Sequence, residues 1–142
     1  RGEISISSSD TKVNPKIKMN YLSTDEDRKV AADGIKLIRK IVMETNEFKK
    51  YEPEEFRPGS HLNDKEEIVK ACSHYAQTIF HPVGTCKMGN DDSAVVSDKL
   101  KVHGLNKLRV IDASIMPNIT SGNTNAPTIM IAEKGADMIL SP

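Results

Sequence analysis

Ile111-Asp-Ala-Ser-Ile-Met-Pro-Asn-Ile-Thr-Ser-Gly-Asn-Thr-Asn-Ala-Pro-Thr128 is the stretch on which the reading of this chain turns. An apolar run, Leu108, Val110 and Ile111, ends in the acid Asp112. A loop rich in Ser, Asn, Thr and Gly follows over 113–126. Ile129, Ile131, Ala132, Gly135, Ala136 and Ile139 then recur at the spacing of a closing helix. Strand, polar loop and helix in that order can hold a cofactor. An aspartate at the carboxyl end of a strand meets a ribose or ribityl hydroxyl, and the helix start turns unpaired backbone N–H groups toward an electron-rich group. The same residues also make an ordinary capping loop, with Thr124 or Asn125 as N-cap, Pro127 in the first turn and Glu133 facing water. On the pattern alone the capping loop is the preferred reading.

Upstream, Thr78-Ile-Phe-His-Pro-Val-Gly-Thr-Cys-Lys-Met-Gly89 places His81 where a predicted helix stops. Pro82 and Gly84 break regular structure just after it, so the imidazole rides on a constrained turn. Histidine, with an ordinary pKa of about 6.5, suits proton abstraction from an alcohol. A satisfied structural histidine fits the same spacing. His61, His74 and His103 lie in a polar connection, a helix and a turn, and read as bystanders. Cys72, His74, His81 and Cys86 fall within a short span, but residues two apart on a helix point to nearly opposite sides and no Cys-x-x-Cys pair supports them, so no metal is expected.

The remaining chain alternates short extended pieces with helices. Ile4 and Ile6 alternate with polar residues as on a half-buried strand, and Ile17, Met19 and Tyr21 suggest a second extended piece after the turn 8–15. From Asp25 the period becomes helical: Val30, Gly34, Leu37, Ile38, Ile41 and Val42 share a face, with Asp25, Glu26 and Asp27 at the favourable end of the helix dipole. Residues 46–63, with Pro53 and Pro58, read as a surface connection. A second helix is predicted from Asn63 or Asp64, with Ile68, Cys72, Tyr75, Ala76 and Ile79 on one face, ending before Pro82. Val95 and Val96, Leu100 and Val102, and Leu108 to Ile111 suggest short strands joined by turns at Asp98-Lys99 and His103-Gly104, the last running into Asp112.

Composition narrows the partners. The 142 residues, 37% of them hydrophobic, suit one modest core or part of a larger protein. Lysine plus arginine and aspartate plus glutamate both total 20, so no overall field attracts a nucleic-acid backbone or an anionic membrane. No apolar run reaches the roughly 20 residues of a membrane span. Cys72 and Cys86 are too few for a disulfide framework. The opening, without an initiator methionine, reads as a strand entered in mid-stream, so the chain is expected to be a fragment.

HPVGTCKMG at 81–89, LKVHGLNKLRVIDASIMP at 100–117 and SGNTNAPTIMIAEKGADMI at 121–139 stand in an order and spacing that resemble the closing motifs of the glucose-methanol-choline (GMC) flavoprotein oxidoreductases. RGEISISS followed by Asn20-Tyr21-Leu22 resembles the entry to that region. The likeness covers nearly the whole chain, least between 46 and 66, and the run from Ile119 to Ile139 is most similar to arthropod glucose dehydrogenase-type members, many of them secreted.

The resemblance implies an FAD-dependent oxidation of an alcohol, with oxygen or a quinone-like acceptor reoxidising the flavin. It makes His81 the base that accepts the alcohol proton as hydride leaves for flavin N5. Asn123 becomes its orienting partner, a place where some members carry a second histidine and others, choline-oxidising enzymes among them, asparagine. Asp112 and Ala113 match a strand-end contact to FAD, Thr124 and Asn125 pass beside the isoalloxazine, Thr128 stands in the following first turn, and Phe80 excludes water or touches flavin. Cys86 reads as a packed free cysteine.

The implied fold is α+β: part of a substrate-domain antiparallel sheet with covering helices over about 3–107, then the last strand and helix of the FAD domain over 108–142. The Gly-x-Gly-x-x-Gly turn that seats the ADP half of FAD does not occur in the sequence. A missing N-terminal FAD-binding portion is therefore the implied partner, and the chain alone is expected to hold little FAD and to be inactive. The alternative is a shortened, non-catalytic binding or structural protein that keeps this substructure.

Overall fold

Thr24 starts the longest helix, α1 (Asp25–Glu44), by accepting the Asp27 N–H on its hydroxyl at 3.1 Å, and the acids at 25–27 face the positive end of the helix dipole. α1 belongs to the first of two compact units, Arg1–Gln77; the second begins at Thr78, and the computed structural model describes residues 1–141. Among the described residues the architecture is mixed, with helices and one small antiparallel sheet.

In the first unit, β1 (Glu3–Ser5) pairs antiparallel with β2 (Lys16–Lys18), Ile4 opposite Ile17. The alternation at 3–7 does give a strand, but its face is exposed: Ile4, Ile6 and Ile17 all remain in contact with solvent, because a two-stranded ribbon has no layer to pack against. A one-turn helix α2 (Asn46–Lys49) opens the connection that had read as irregular. The helix α3 (Lys65–Tyr75) starts at Asp64, whose carboxylate accepts the N–H groups of Glu66 and Glu67 at 2.8 and 3.3 Å. It ends a turn earlier than the spacing predicts. Ala76 turns extended at ψ 141°, and Ile79 is exposed rather than on the helix face.

α1 and α3 meet through Ala32, Ile35, Ile68, Val69 and Cys72, with Leu62 beside them. Ile68 is fully buried, worth about 1.5–3 kcal/mol by area. Of the residues that follow helical spacing along α1, Val30, Leu37, Ile38 and Ile41 are exposed, and Gly34 and Val42 are half-buried. Arg39 explains how α1 holds the connection. Its guanidinium makes two 2.8 Å bonds to the Glu55 carboxylate and donates to the carbonyls of Gly59 and Leu62, while the Gly59 N–H returns to Glu55 at 3.0 Å. The pair is little exposed. Arg39 holds the Glu55 carboxyl below its ordinary range.

The second unit has its core in Val96, Leu100, Ile115, Met116 and Ile131, with Val83, Met88, Val102, Val110, Ile111 and Met138 packed around it. The short strands predicted between 95 and 111 are single bridges: Met88 with Val96, Val96 with Val102, and Lys101 with Arg109. Leu100 and Lys107 adopt left-handed backbone (φ 59° and 61°), so the chain bends just before the bridges at Lys101 and Arg109 and the extended runs stay short. The run before Asp112 therefore enters a one-turn 3₁₀ helix, Ala113–Ile115, from a bridge rather than from a full strand. Asp91 gathers the Ser93 hydroxyl and N–H and the Lys87 ammonium, which together hold its carboxyl far below the usual range and tie down the loop after Met88. The closing helix α4 runs over Asn125–Leu140 and buries Ile131 and Gly135.

Candidate active site

The segment from 78 to 89 has almost no regular structure, yet it is held at several points. The Thr78 hydroxyl accepts the Phe80 N–H at 3.0 Å, and Phe80 is left-handed at φ 63°, a conformation that costs a bulky residue about 1–3 kcal/mol. His81 follows this bend directly, several residues after α3 has ended, so the bend and not a helix end aims the ring. Gly84 at φ 87° brings the chain against the next layer: a β-carbon there would stand 3.3 Å from the Met116 carbonyl oxygen. The Cys86 and Met88 N–H groups then donate to the carbonyls of Ser114 and Ile115 at 3.0 and 2.8 Å. The loop carrying His81 is thereby laid along the 3₁₀ helix that leads to 123–125.

There His81 meets two side chains. Its Nε2 lies 3.2 Å from Asn123 Nδ2, and its Nδ1 lies 3.0 Å from Thr124 Oγ1. The Asn125 N–H donates to Asn123 Oδ1 at 2.8 Å, which fixes the amide with its NH₂ toward the ring. An NH₂ group only donates, so Nε2 of the neutral ring is the acceptor and carries the lone pair. The ring proton therefore sits on Nδ1 and is donated to Thr124 Oγ1. The arrangement is a half-buried imidazole whose basic nitrogen faces an exposed amide donor.

The other predicted residues fall around this pair. Thr124 stands at the N-cap position of α4, but its hydroxyl makes no cap bond; it is turned to His81, and the Asn123 side chain does the capping instead. Asn125 opens the helix with its side chain exposed, and Pro127 sits in the first turn. Thr128 donates its hydroxyl to the Thr124 carbonyl at 2.7 Å, tightening that turn. Phe80, next to His81, is 82% exposed and therefore fills no core within its unit. Asp112 accepts the Ser114 N–H on Oδ1 at 2.7 Å and so caps the 3₁₀ helix that Ala113 opens; no hydrogen bond joins either residue to the His81 cluster.

The remaining histidines do local work or none: His74 Nδ1 bonds the Lys70 carbonyl, His103 Nε2 bonds the Gly89 carbonyl, and His61 is exposed. Cys72 and Cys86 are free, half-buried thiols. Among the described residues no three His, Cys, Asp or Glu side chains gather as a metal site. The contact missing from the sequence reading is that of Thr124 with Nδ1; spacing carries no signal of which hydroxyl faces a ring 43 residues away.

Known proteins share this arrangement of chain. An oxygen-dependent choline dehydrogenase of Pseudomonas putida is 48% identical over 139 residues, which are 98% of this chain and 24% of that protein. The crystal structure of pyridoxine 4-oxidase from Mesorbium loti superposes with a TM-score of 0.89 at 33% identity, covering 99% of this chain and 27% of that one. A formate oxidase of Aspergillus oryzae, studied for its FAD modification, gives 0.85 at 34% identity over 97% of this chain and 24% of its own. The chain thus spans about a quarter of the length of the relatives it matches. These relatives are bacterial and fungal, so the finer likeness to arthropod glucose dehydrogenases has no counterpart among them. Residues 1–132 match the family described as GMC oxidoreductase, and the chain belongs to that family.

Proposed function

We propose that this chain is the C-terminal part of an FAD-dependent enzyme that oxidises a small alcohol, with His81 as the base. The observation that carries the reading is the oriented contact between Asn123 Nδ2 and His81 Nε2. As an alcohol enters, its oxygen takes the Asn123 amide donor while its hydroxyl proton passes to the Nε2 lone pair. The O–H bond breaks toward the imidazole, and the carbonyl forms as the C–H bond is lost with both electrons. Bound FAD would supply the hydride acceptor.

The surroundings of His81 suit such a cofactor. Phe80 offers an exposed aromatic face, Asn125 an exposed amide, and the Ala126 N–H at the start of α4 has no acceptor among the described residues. An electron-rich ring edge is the natural neighbour of that helix end. Thr128 and Asp112 with Ala113 are assigned to the same cofactor, Asp112 through its second carboxylate oxygen. On this reading the division lies near 107, the flavin side being 108–142, and the dinucleotide seat belongs to an N-terminal portion. The reoxidising partner is oxygen or a quinone-like acceptor.

Asn123, together with the likeness to a choline dehydrogenase, makes choline the first alcohol to try. In the complete protein, His81→Gln should retain yellow, bound FAD but reduce it at least about a hundred-fold more slowly with substrate. A protein that stays colourless with added FAD, or a variant that reduces flavin at the normal rate, would overturn the reading.

A further inference from the structure

We infer that the hollow at the C-terminal end of α4 binds a phosphate group, free or carried on a small organic molecule, at a place separate from the site around His81. The hollow encloses about 500 Å³ and lies wholly within the second unit. Lys99, Lys101 and Arg109 line it from the bridged segment, and Lys134, Asp137 and Met138 line it from α4. At about 1.5 Å per residue, Asp137 stands roughly 20 Å along the helix from Thr124, too far for one small molecule to touch both ends. The inference does not depend on His81 being the base.

The chain as a whole is electrically balanced, so this is a local concentration of positive charge. Lys101 and Arg109 are direct partners across an antiparallel bridge, a position where like charges repel. Lys29, Arg39 and Lys87 each sit against a carboxylate at 3.0 Å or closer. Among the described residues none of the four cations of the hollow makes an ion pair, although Asp137 shares its wall. Nor do the three ammonium groups bond the last carbonyls of α4, where cations commonly serve. Arg109 alone is engaged: Nη2 donates to the Met138 carbonyl at 3.3 Å, which holds the half-buried guanidinium against the helix, while its Nε is buried without an acceptor. Asp137 and the helix end, equivalent to roughly half a negative charge, offset only part of four positive charges. A phosphate brings about 1.5 to 2 negative charges and accepts hydrogen bonds from several directions, which suits three ammonium groups and a guanidinium set on two elements.

The test is a calorimetric titration of the complete, FAD-loaded protein at constant ionic strength, first with inorganic phosphate and then with a nucleoside monophosphate. Loading the flavin beforehand keeps its own diphosphate out of the comparison. One phosphate should bind per chain. Lys101→Gln and Lys134→Gln should each weaken it by about ten-fold, as for loss of one charge-assisted hydrogen bond, whereas Lys12→Gln in the first unit should leave it unchanged. Equal affinity for the two probes identifies a free-anion site, and a tighter nucleoside monophosphate identifies a phosphate carried on an organic group. Binding that survives in the Lys101→Gln, Lys134→Gln double variant would overturn the inference. So would the failure of the complete protein to bind either probe at about 10 mM, the result expected if carboxylates of its N-terminal portion fill the hollow.

Discussion

Gly135 lies so close to Ile111 that a β-carbon on it would stand 2.5 Å from Ile111 Cγ2 and 2.9 Å from Cδ1. Ile111 directly precedes Asp112, and Gly135 is buried on α4, so this contact sets how the helix lies against the segment entering the 3₁₀ turn. Gly135→Ala should therefore destabilise the protein by about 1–3 kcal/mol despite the better helix propensity of alanine. In the double variant with Ile111→Ala the two costs should add to less than their sum, measured by denaturant unfolding. Full additivity would show that the two side chains do not clash.

Asn123 is predicted to act as a hydrogen-bond donor, and its chemical variants separate that role from shape. Asn123→Ala should lower kcat/KM by about 10²-fold, within the range for loss of one oriented donor. Asn123→Asp keeps the size but offers only acceptors to Nε2, which draws the ring proton to that nitrogen and removes the base. It should be at least as damaging as alanine at neutral pH. Steady-state kinetics of the complete protein decide this, and an active aspartate variant would contradict the donor role.

The Arg39 and Glu55 pair should matter for stability and should do so in a pH-dependent way. The side chains are only 17% and 11% exposed, so removing one partner strands the other, at about 3 kcal/mol. Because Arg39 lowers the Glu55 pKa, the pair's contribution is present above the unfolded-state value near 4.3 and is lost as pH falls through the lower folded-state value. Thermal melts of wild type and Glu55→Gln should differ most at neutral pH, with the gap closing in acid below about pH 4. A gap that is constant from pH 7 to about pH 3 would contradict this.

Asp64 gives a simpler case. Its carboxylate accepts two N–H groups at the start of α3, so Asp64→Ala should cost about 1 kcal/mol while Asp64→Asn costs less. Circular dichroism melts of the two variants check the order.

The starts of α1 and α3 and the presence of α4 were legible from local order, whereas the one-turn helix α2 was not. α1 and α3 begin where their capping residues stand, because an N-cap acts within three residues of itself and needs no tertiary partner. His81, Asn123 and the loop before α4 were singled out by the resemblance of their motifs to the GMC family, not by spacing alone. Burial was less legible. α1 carries apolar residues on more than one side, and only the position of α3 determines that Ala32 and Ile35, and not Leu37 and Ile41, are covered. The extended runs near 96–110 looked like strands because Val and Leu favour them, but left-handed Leu100 and Lys107 cut them to single bridges.

By itself, then, the sequence determined the family and the helix starts and put forward the residues proposed for the site, since these depend on side-chain type and on neighbours a few positions apart. The tertiary structure alone decided that Thr124 faces Nδ1 and Asn123 faces Nε2 of a ring more than 40 residues away. It also decided which nitrogen of His81 keeps its lone pair, because a tautomer is chosen by the direction of the donors and acceptors around it, and those directions exist only once the chain has folded.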